Sequence, residues 1–460
     1  MKAPPSDKYE RVGPSPTLRM VRDLIEERVL AINDGYRVKN VELGPRGIPF
    51  VRGGDIGDGT VSTAVADHIR PEFKHRVTSK LTKPGDVAFI TKGTIGRVAR
   101  IRDEQPPFVF APQVCYWRSL DHQRLDPTYL FFSLRSSGFL AQLDAVKTHG
   151  SMVADYVSLT DQRLFRIPLP EIGSQRRIAE ILGTLDDKIE LNQRINETLE
   201  AMARALFQSW FIDFDPVHAK AAVRREHPNW TNAQVSRSAL PNLDHTTAEL
   251  FPDRFEESAI GRIPMDWSVA RIDELATING WTLGKNDRLD TIDYIEISEV
   301  MRGNIGAISR YTRGEEPSRA RRRLRHGDVV LSTVRPDREA YFVCLHPSES
   351  LIASTGFAVL SADVAPWSWL ASALTQPNVF EYLGHHADGG AYPAVNPTLI
   401  GALKYAVPTE KGLLEQFHSA TAPLFEQSHL QRSEAITLAR TLDCLMPNLL
   451  NGNIVGLNDK

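Results

Sequence analysis

The sequence predicts an α+β protein: two similar globular domains with mixed β-sheets and short helices, separated by an antiparallel pair of long coiled-coil-like helices and related by a pseudo-two-fold axis. Three observations carry the prediction. A heptad seam runs through 174–211, an internal repeat spans most of the 460 residues, and a second heptad seam follows the second copy of that repeat.

The first seam, read at alternating steps of four and three, is Ile178, Leu182, Leu185, Ile189, Asn192, Asn196, Leu199, Ala203, Leu206 and Trp210. Gly173 breaks the preceding segment and Ser174 is a good N-cap, so a helix is expected to start there. At a rise of 1.5 Å per residue the helix is about 55 Å long, more than a compact domain needs. Such a helix suits a spacer. The second seam is Phe417, Thr421, Leu424, Ser428, Gln431, Ala435, Leu438, Leu442 and Leu445. Both carry polar residues at mid-seam, which cost stability and fix register, so the two helices are expected to pair with each other. Pro423 removes a backbone donor from the early turns of the second helix and is expected to weaken it.

The repeat is read from matched segments. Lys83-Pro84-Gly85-Asp86-Val87 answers Arg325-His326-Gly327-Asp328-Val329, and Val157, Thr160 and Pro170 answer Val395, Thr398 and Pro408. Each copy opens with short, β-type segments punctuated by glycine, turns helical, returns to an extended segment and ends in its long helix. The resulting boundaries are a flexible tail at 1–17, a first domain at 18–172, the central helix at 173–214, a linker at 215–262, a second domain at 263–410, the C-terminal helix at 411–448 and a tail at 449–460. Between Trp210 and Gly261 the prolines at 216, 228, 241 and 252 suggest a linker with a short helix or two and no core of its own.

Composition sets further bounds. Hydrophobic residues make up 42% of the chain and charged residues 24%, as in soluble globular proteins. Cys115, Cys344 and Cys444 form no CxxC pair, so neither a disulfide framework nor a zinc site is indicated, and a reducing, cytoplasmic setting fits best. No run is apolar enough to span a membrane. The formal net charge of −3 argues against a protein that coats nucleic acid, while local basic stretches such as 319–325 remain able to meet phosphates.

Catalytic machinery is not found. Nucleotide-binding glycine loops and HExxH are missing, Gln105-Pro106-Pro107-Phe108 has no cofactor loop upstream, and His385-His386 has no metal-ligand partners near it in sequence. No catalytic residue and no metal site are therefore expected. The domains do offer glycine-framed loops with basic and hydrogen-bonding side chains after strands. Lys92, Thr94 and Arg97 occupy one in the first copy; Arg335 and Arg338, with Tyr341 just beyond, occupy its counterpart. Ser151 and Tyr392 lie on a second corresponding pair of loops, before the segments that lead into the long helices. Corresponding loops with different polar residues are what two readers of different sequences would carry, and these eight residues are the candidates for DNA contact.

The Gly-Asp-Val turn in each half, the stretch SQRRIAEILGTLDDKIELNQRINETLEAMARALFQSWFIDFDPV, the GRIPMDW that opens the second half and the tail LMPNLLNGNI together resemble the DNA-specificity subunits of type I restriction-modification systems. The resemblance runs from about Leu18 to Ile454. It implies two target-recognition domains, each reading one half of a bipartite, asymmetric site in double-stranded DNA, and a chain without activity of its own. It also implies that this chain binds no cofactor and assembles with two modification (methyltransferase) subunits, which carry S-adenosylmethionine and methylate adenine, and with restriction subunits that cut DNA with ATP and Mg. The residues alone leave a second possibility open, a coiled-coil scaffold that bridges protein partners and reads no bases.

Overall fold

The structure, a computed structural model, describes residues 16–93, 95–147, 156–284, 287–390 and 392–452. It divides into two compact units, Met1–Glu190 with Ile436–Lys460, and Leu191–Ala435.

In the first unit a four-stranded antiparallel sheet has the order Leu30–Asp34, Val114–Ser119, Val87–Ile90, Val98–Arg100. Its strands are buried on both faces, and the two-residue period of the pleat sorts them into two cores. Val87, Phe89, Cys115 and Trp117 point to the helices Pro127–Arg135 and Ser137–Lys147 and to Ile178 and Leu182. Ala88, Ile90, Val114 and Tyr116 point the other way, onto Phe108, Phe110 and Val51. A second sheet, Leu43–Gly44, His68–Ile69, Ile48–Val51 and Val109–Phe110, contains one parallel pair, Ile48–Val51 with Val109–Phe110. Leu18–Met20 pairs with Arg166–Pro168.

The second unit repeats the antiparallel sheet strand for strand and keeps a parallel pair in its second sheet. Its antiparallel sheet is Ala276–Ile278, Phe357–Ala362, Asp328–Ser332, Tyr341–Cys344, and its second sheet holds the parallel pair Thr291–Ile295 with Leu351–Ser354. Trp267–Arg271 pairs with Lys404–Pro408. The same alternation recurs: Val329, Leu331, Ala358 and Leu360 belong to the helix-side core, Val330, Phe342, Phe357 and Val359 to the other. The internal repeat read from sequence is thus a repeat of topology.

The central helix is Ile172–Phe207, followed by a wider π-helical turn at Gln208–Ile212. It begins two residues before Ser174, because Gln175, wholly buried, ties its first turn down: its side-chain amide donates to the carbonyls of Arg124 (3.0 Å) and Pro170 (2.8 Å), and its oxygen accepts from the Asp126 amide (3.0 Å). The C-terminal helix, Lys411–Leu450, runs unbroken through Pro423, which sits on its solvent side. The expected weakening there does not interrupt the helix.

The seams fall inward as predicted. Within the first unit Ile178, Leu182, Leu185 and Ile189 share one core with Leu442 and Leu445. Within the second, Ala203, Leu206 and Trp210 share another with Phe417 and Leu424. Leu199 and Leu438 are half-buried. Asn192 donates to the Glu434 carboxylate (2.9 Å), Glu200 pairs with Arg432, and Phe207 meets Phe417 edge-on, an order of contacts that makes the two helices antiparallel in this unit. Phe207, Phe211 and Phe425 are buried beside the seam positions, widening the stripe beyond a two-helix seam because each helix also covers a globular core.

The segment 215–262 is more than a linker. It folds into helices Asp215–Glu226, Asn232–Ala239 and His245–Leu250 and a hairpin, Phe255–Ser258 with Gly261–Pro264. Val217 and Phe251 enter the second unit's core beside Trp210 and Trp267. Buried Lys220 holds the helices together, donating to Asn232 (2.8 Å) and to the carbonyls of Ala248 (2.9 Å) and Phe251; burial lowers its pKa to about 8. No helix of the described residues is long and apolar enough to cross a membrane.

Candidate nucleic-acid interface

In each unit the third strand of the antiparallel sheet is followed by a threonine that fixes the loop beyond it. Thr91 donates from its backbone (2.9 Å) and hydroxyl (3.1 Å) to the Gln113 carbonyl, and its own carbonyl accepts from the Val157 amide (3.0 Å). Thr333 does the same with Gly356 (2.9 Å from each group) and Val395 (2.8 Å). The neighbours then form equivalent bridges, Lys92 with Tyr156 and Val334 with Ala394. In each copy the loop after the strand is therefore joined to the residues that precede the extended segment, stitched at the same backbone positions.

The side chains on these loops differ. In the first unit Lys92 and Arg97 are exposed, Arg97 reaching the Ile56 carbonyl at 3.4 Å, and Gly93 and Gly96 hold left-handed φ of 90° and 99° that make the loop turn. Thr94 and Ser151 lie outside the described residues. Tyr156, which the sequence reading missed, is 48% exposed beside Lys92. Its only sequence signal is its place immediately before Val157, the residue that aligns with Val395.

In the second unit Arg335 and Tyr392, 57 positions apart in sequence, come together: the guanidinium lies 4.5 Å from the ring centre, and the Arg335 amide donates to the Pro393 carbonyl at 2.7 Å. Arg335 adopts φ 48°, ψ 59°, so the chain turns sharply into Pro336–Arg338. Tyr392 is 72% exposed, and Arg338 is exposed as well. A stacked arginine loses fewer rotamers when it binds, which suits a planar, two-pronged contact.

Tyr341 is a correction. Its ring is buried and stacks on Phe380 (5.3 Å), and its hydroxyl donates to Glu200 (3.3 Å) on the central helix. Burial raises the phenol pKa. Its strand is an edge of the sheet, but Tyr341 lies on the face covered by the helix-side core, so it points inward and not to the loop surface. The basic stretch 319–325 is also less open than its sequence suggests. Arg321 pairs with Glu316, Arg323 with Asp287, and the Arg325 guanidinium sits 3.3 Å over the Trp281 ring. Gln105 of the Gln-Pro-Pro-Phe loop caps the Arg102 amide and donates to the Val61 carbonyl, while Phe108 is buried, so that loop is structural.

With this geometry in place, comparison with known proteins is informative. Residues 29–201 match the family model described as the type I restriction modification DNA specificity domain. The chain is 25% identical over 374 residues to the type I restriction enzyme HindI specificity subunit of Haemophilus influenzae, a match covering 71% of this chain and 77% of that protein. It is 20% identical over 351 residues to the type I restriction enzyme MjaIX specificity subunit of Methanocaldococcus jannaschii, covering 71% and 68%. The crystal structure of a type I restriction-modification S subunit from M. genitalium shares the fold, with a TM-score of 0.53 and 14% identity over 94% of this chain and 95% of that one. Over residues 29–201 the chain thus carries a match to the type I restriction modification DNA specificity domain, and over 71% of its length it is similar to type I restriction enzyme specificity subunits.

Proposed function

We propose that each of the two globular regions reads one half of a bipartite site in double-stranded DNA, and that the chain directs methylation or cleavage performed by partner subunits without catalysing either itself. The observation that carries this reading is the pair of equivalent loop surfaces, tethered by Thr91 and Thr333 at the same backbone atoms yet presenting Lys92, Arg97 and Tyr156 in one case and Arg335, Arg338 and Tyr392 in the other. A fixed frame with changed side chains is how one architecture serves two base sequences. Adenine-methylating modification subunits and restriction subunits are the partners this role requires, supplying S-adenosylmethionine and ATP chemistry from their own sites.

Arg335 is the side chain assigned to base reading in the second region, and Lys92 the one assigned to phosphate. Arginine contacts a guanine edge through two donors, worth about 1–3 kcal/mol of discrimination, whereas a phosphate contact mainly sets salt dependence. The test is Arg335→Ala in the complex with modification subunits, with methylation measured across a library of randomised sites. Preference in the second half-site relaxes by about 5- to 150-fold while the first half-site is unchanged. Unaltered preference in both halves sinks the assignment.

A further inference from the structure

Three side chains that the chain order keeps far apart converge in the second unit. His326 lies in the turn before strand Asp328–Ser332, His346 two residues past strand Tyr341–Cys344, and Glu426 on the C-terminal helix. The His346 Nε2 is 2.9 Å from one Glu426 carboxylate oxygen, and the His326 Nε2 is 3.8 Å from the other. The imidazole centres are 4.7 Å apart, and the potential ligand atoms of the three residues lie within 4.8 Å of one another. A tetrahedral ion with bonds of about 2.0–2.1 Å sets its ligand atoms about 3.4 Å apart, so side-chain shifts of roughly an ångström close the set.

The surroundings favour an ion. His346 holds a left-handed φ of 48°, which turns it back toward the helix, and the Trp367 ring, 5.6 Å from His326, forms an apolar wall. His429 stands one helical turn beyond Glu426, its ring centre 6.0 Å from that of His346. The first unit fills the comparable place with permanent charges: Arg102, just past the equivalent strand, pairs with Asp186, Asp187 and Glu190 on the central helix. Glu426 and Asp187 are 239 positions apart, the same offset that relates Phe417 to Ile178. Where one unit has arginine against carboxylates, the other has imidazoles against a carboxylate.

We propose that His326, His346 and Glu426, with His429 as the fourth ligand, bind a zinc-class divalent cation that clamps the second globular region to the C-terminal helix. Imidazoles with a carboxylate select Zn²⁺, Co²⁺ or Ni²⁺ over Mg²⁺ and Ca²⁺. The His346 amide donates to the His326 Nδ1 at 3.4 Å, which places the neutral ring's proton on Nε2. On ligation through Nε2 that proton moves to Nδ1 and the long amide contact is given up.

The inference does not depend on what the loops read, and its test uses the full chain after chelation. Titration with Co²⁺ gives one bound ion per chain with the visible absorption of a tetrahedral site, Zn²⁺ displaces it, and Zn²⁺ raises the thermal midpoint. His326→Ala and His346→Ala each weaken Zn²⁺ binding by about tenfold or more, and Glu426→Gln weakens it while leaving the helix in place. His385→Ala/His386→Ala, at the other histidine pair, leaves it unchanged. Absence of binding at about 1 mM metal overturns the proposal, as does binding that survives both His326→Ala and His346→Ala or that follows His385 and His386.

Discussion

Asp86 and Asp328 occupy the same turn of the two repeats and are both buried, yet among the described residues only Asp86 forms a direct ion pair. In each, the carboxylate accepts the amide three residues back (Lys83, 2.8 Å; Arg325, 2.7 Å), and glycine precedes it at φ 81° or 83°. Arg118 then grips Asp86 through two bonds of 2.6 Å, while Asp328 has only the Ser361 hydroxyl at 2.6 Å. Burial raises both carboxyl pKa values, that of Asp328 to about 6. The backbone job of the turn, capping by a carboxylate, is common to both copies. The electrostatic solution is local, and it follows whichever residue the neighbouring strand presents.

The junctions with the long helices teach the same lesson. In the first unit Arg100, Arg102 and Arg135 converge on Asp186 and Asp187, a largely enclosed network in which Arg102 and Asp186 are each under one-fifth exposed. In the second, Glu426 meets two exposed histidines, and the permanent charges sit elsewhere, where Glu200 joins Arg204, Arg432 and the Tyr341 hydroxyl. One junction is built to be fixed, the other to be conditional.

The sharpest way to break this comparison is at the turn. Asp86→Asn strands the Arg118 guanidinium and is expected to cost about 3–5 kcal/mol in denaturant unfolding at pH 7, whereas Asp328→Asn removes a buried charge that has hydrogen bonds but no direct ion pair and is neutral or stabilising by about 1 kcal/mol. Equal losses would show that the two turns are electrostatically alike. Next in size, Arg102→Ala leaves clustered carboxylates facing one another and lowers the first unit's stability by about 3 kcal/mol, while His346→Ala in metal-free protein changes it by less than about 1 kcal/mol. Smallest is the glycine pair. A Cβ on Gly327 would stand 2.6 Å from the Trp367 ring, against 3.1 Å from Pro127 for Gly85, so Gly327→Ala should cost about 2–3 kcal/mol and Gly85→Ala about 1–2 kcal/mol by thermal unfolding.

What was legible in the sequence was whatever has a period or a copy. The two seams, the Gly-Asp-Val turns and the alignment of Val157 with Val395 all reappear as packing or as matched hydrogen bonds. What was hidden depends on partners distant in sequence. The start of the central helix is set by Gln175 reaching back to Arg124 and Pro170, not by the Gly173-Ser174 signal. The segment 215–262 reads as punctuated and polar, but Val217 and Phe251 complete a core assembled from both long helices. Tyr341 was misjudged because a strand shows its alternation but not which face is covered. Among the site candidates the loop positions were legible, while the contact between Arg335 and Tyr392 and the exposure of Tyr156 required the fold.

The alternation of the buried strands has a consequence for redesign. Because Val87 and Phe89 serve the helix-side core while Ala88 and Ile90 serve the other, as Val329 and Leu331, against Val330, do in the second unit, each strand is a two-sided connector with independent sockets. A foreign small sheet, with its own loops, can be grafted by rewriting only the alternate residues that face it. The other half of each strand keeps its grip on the helices, so the chassis and its interchangeable head obey separate packing rules along a single stretch of backbone.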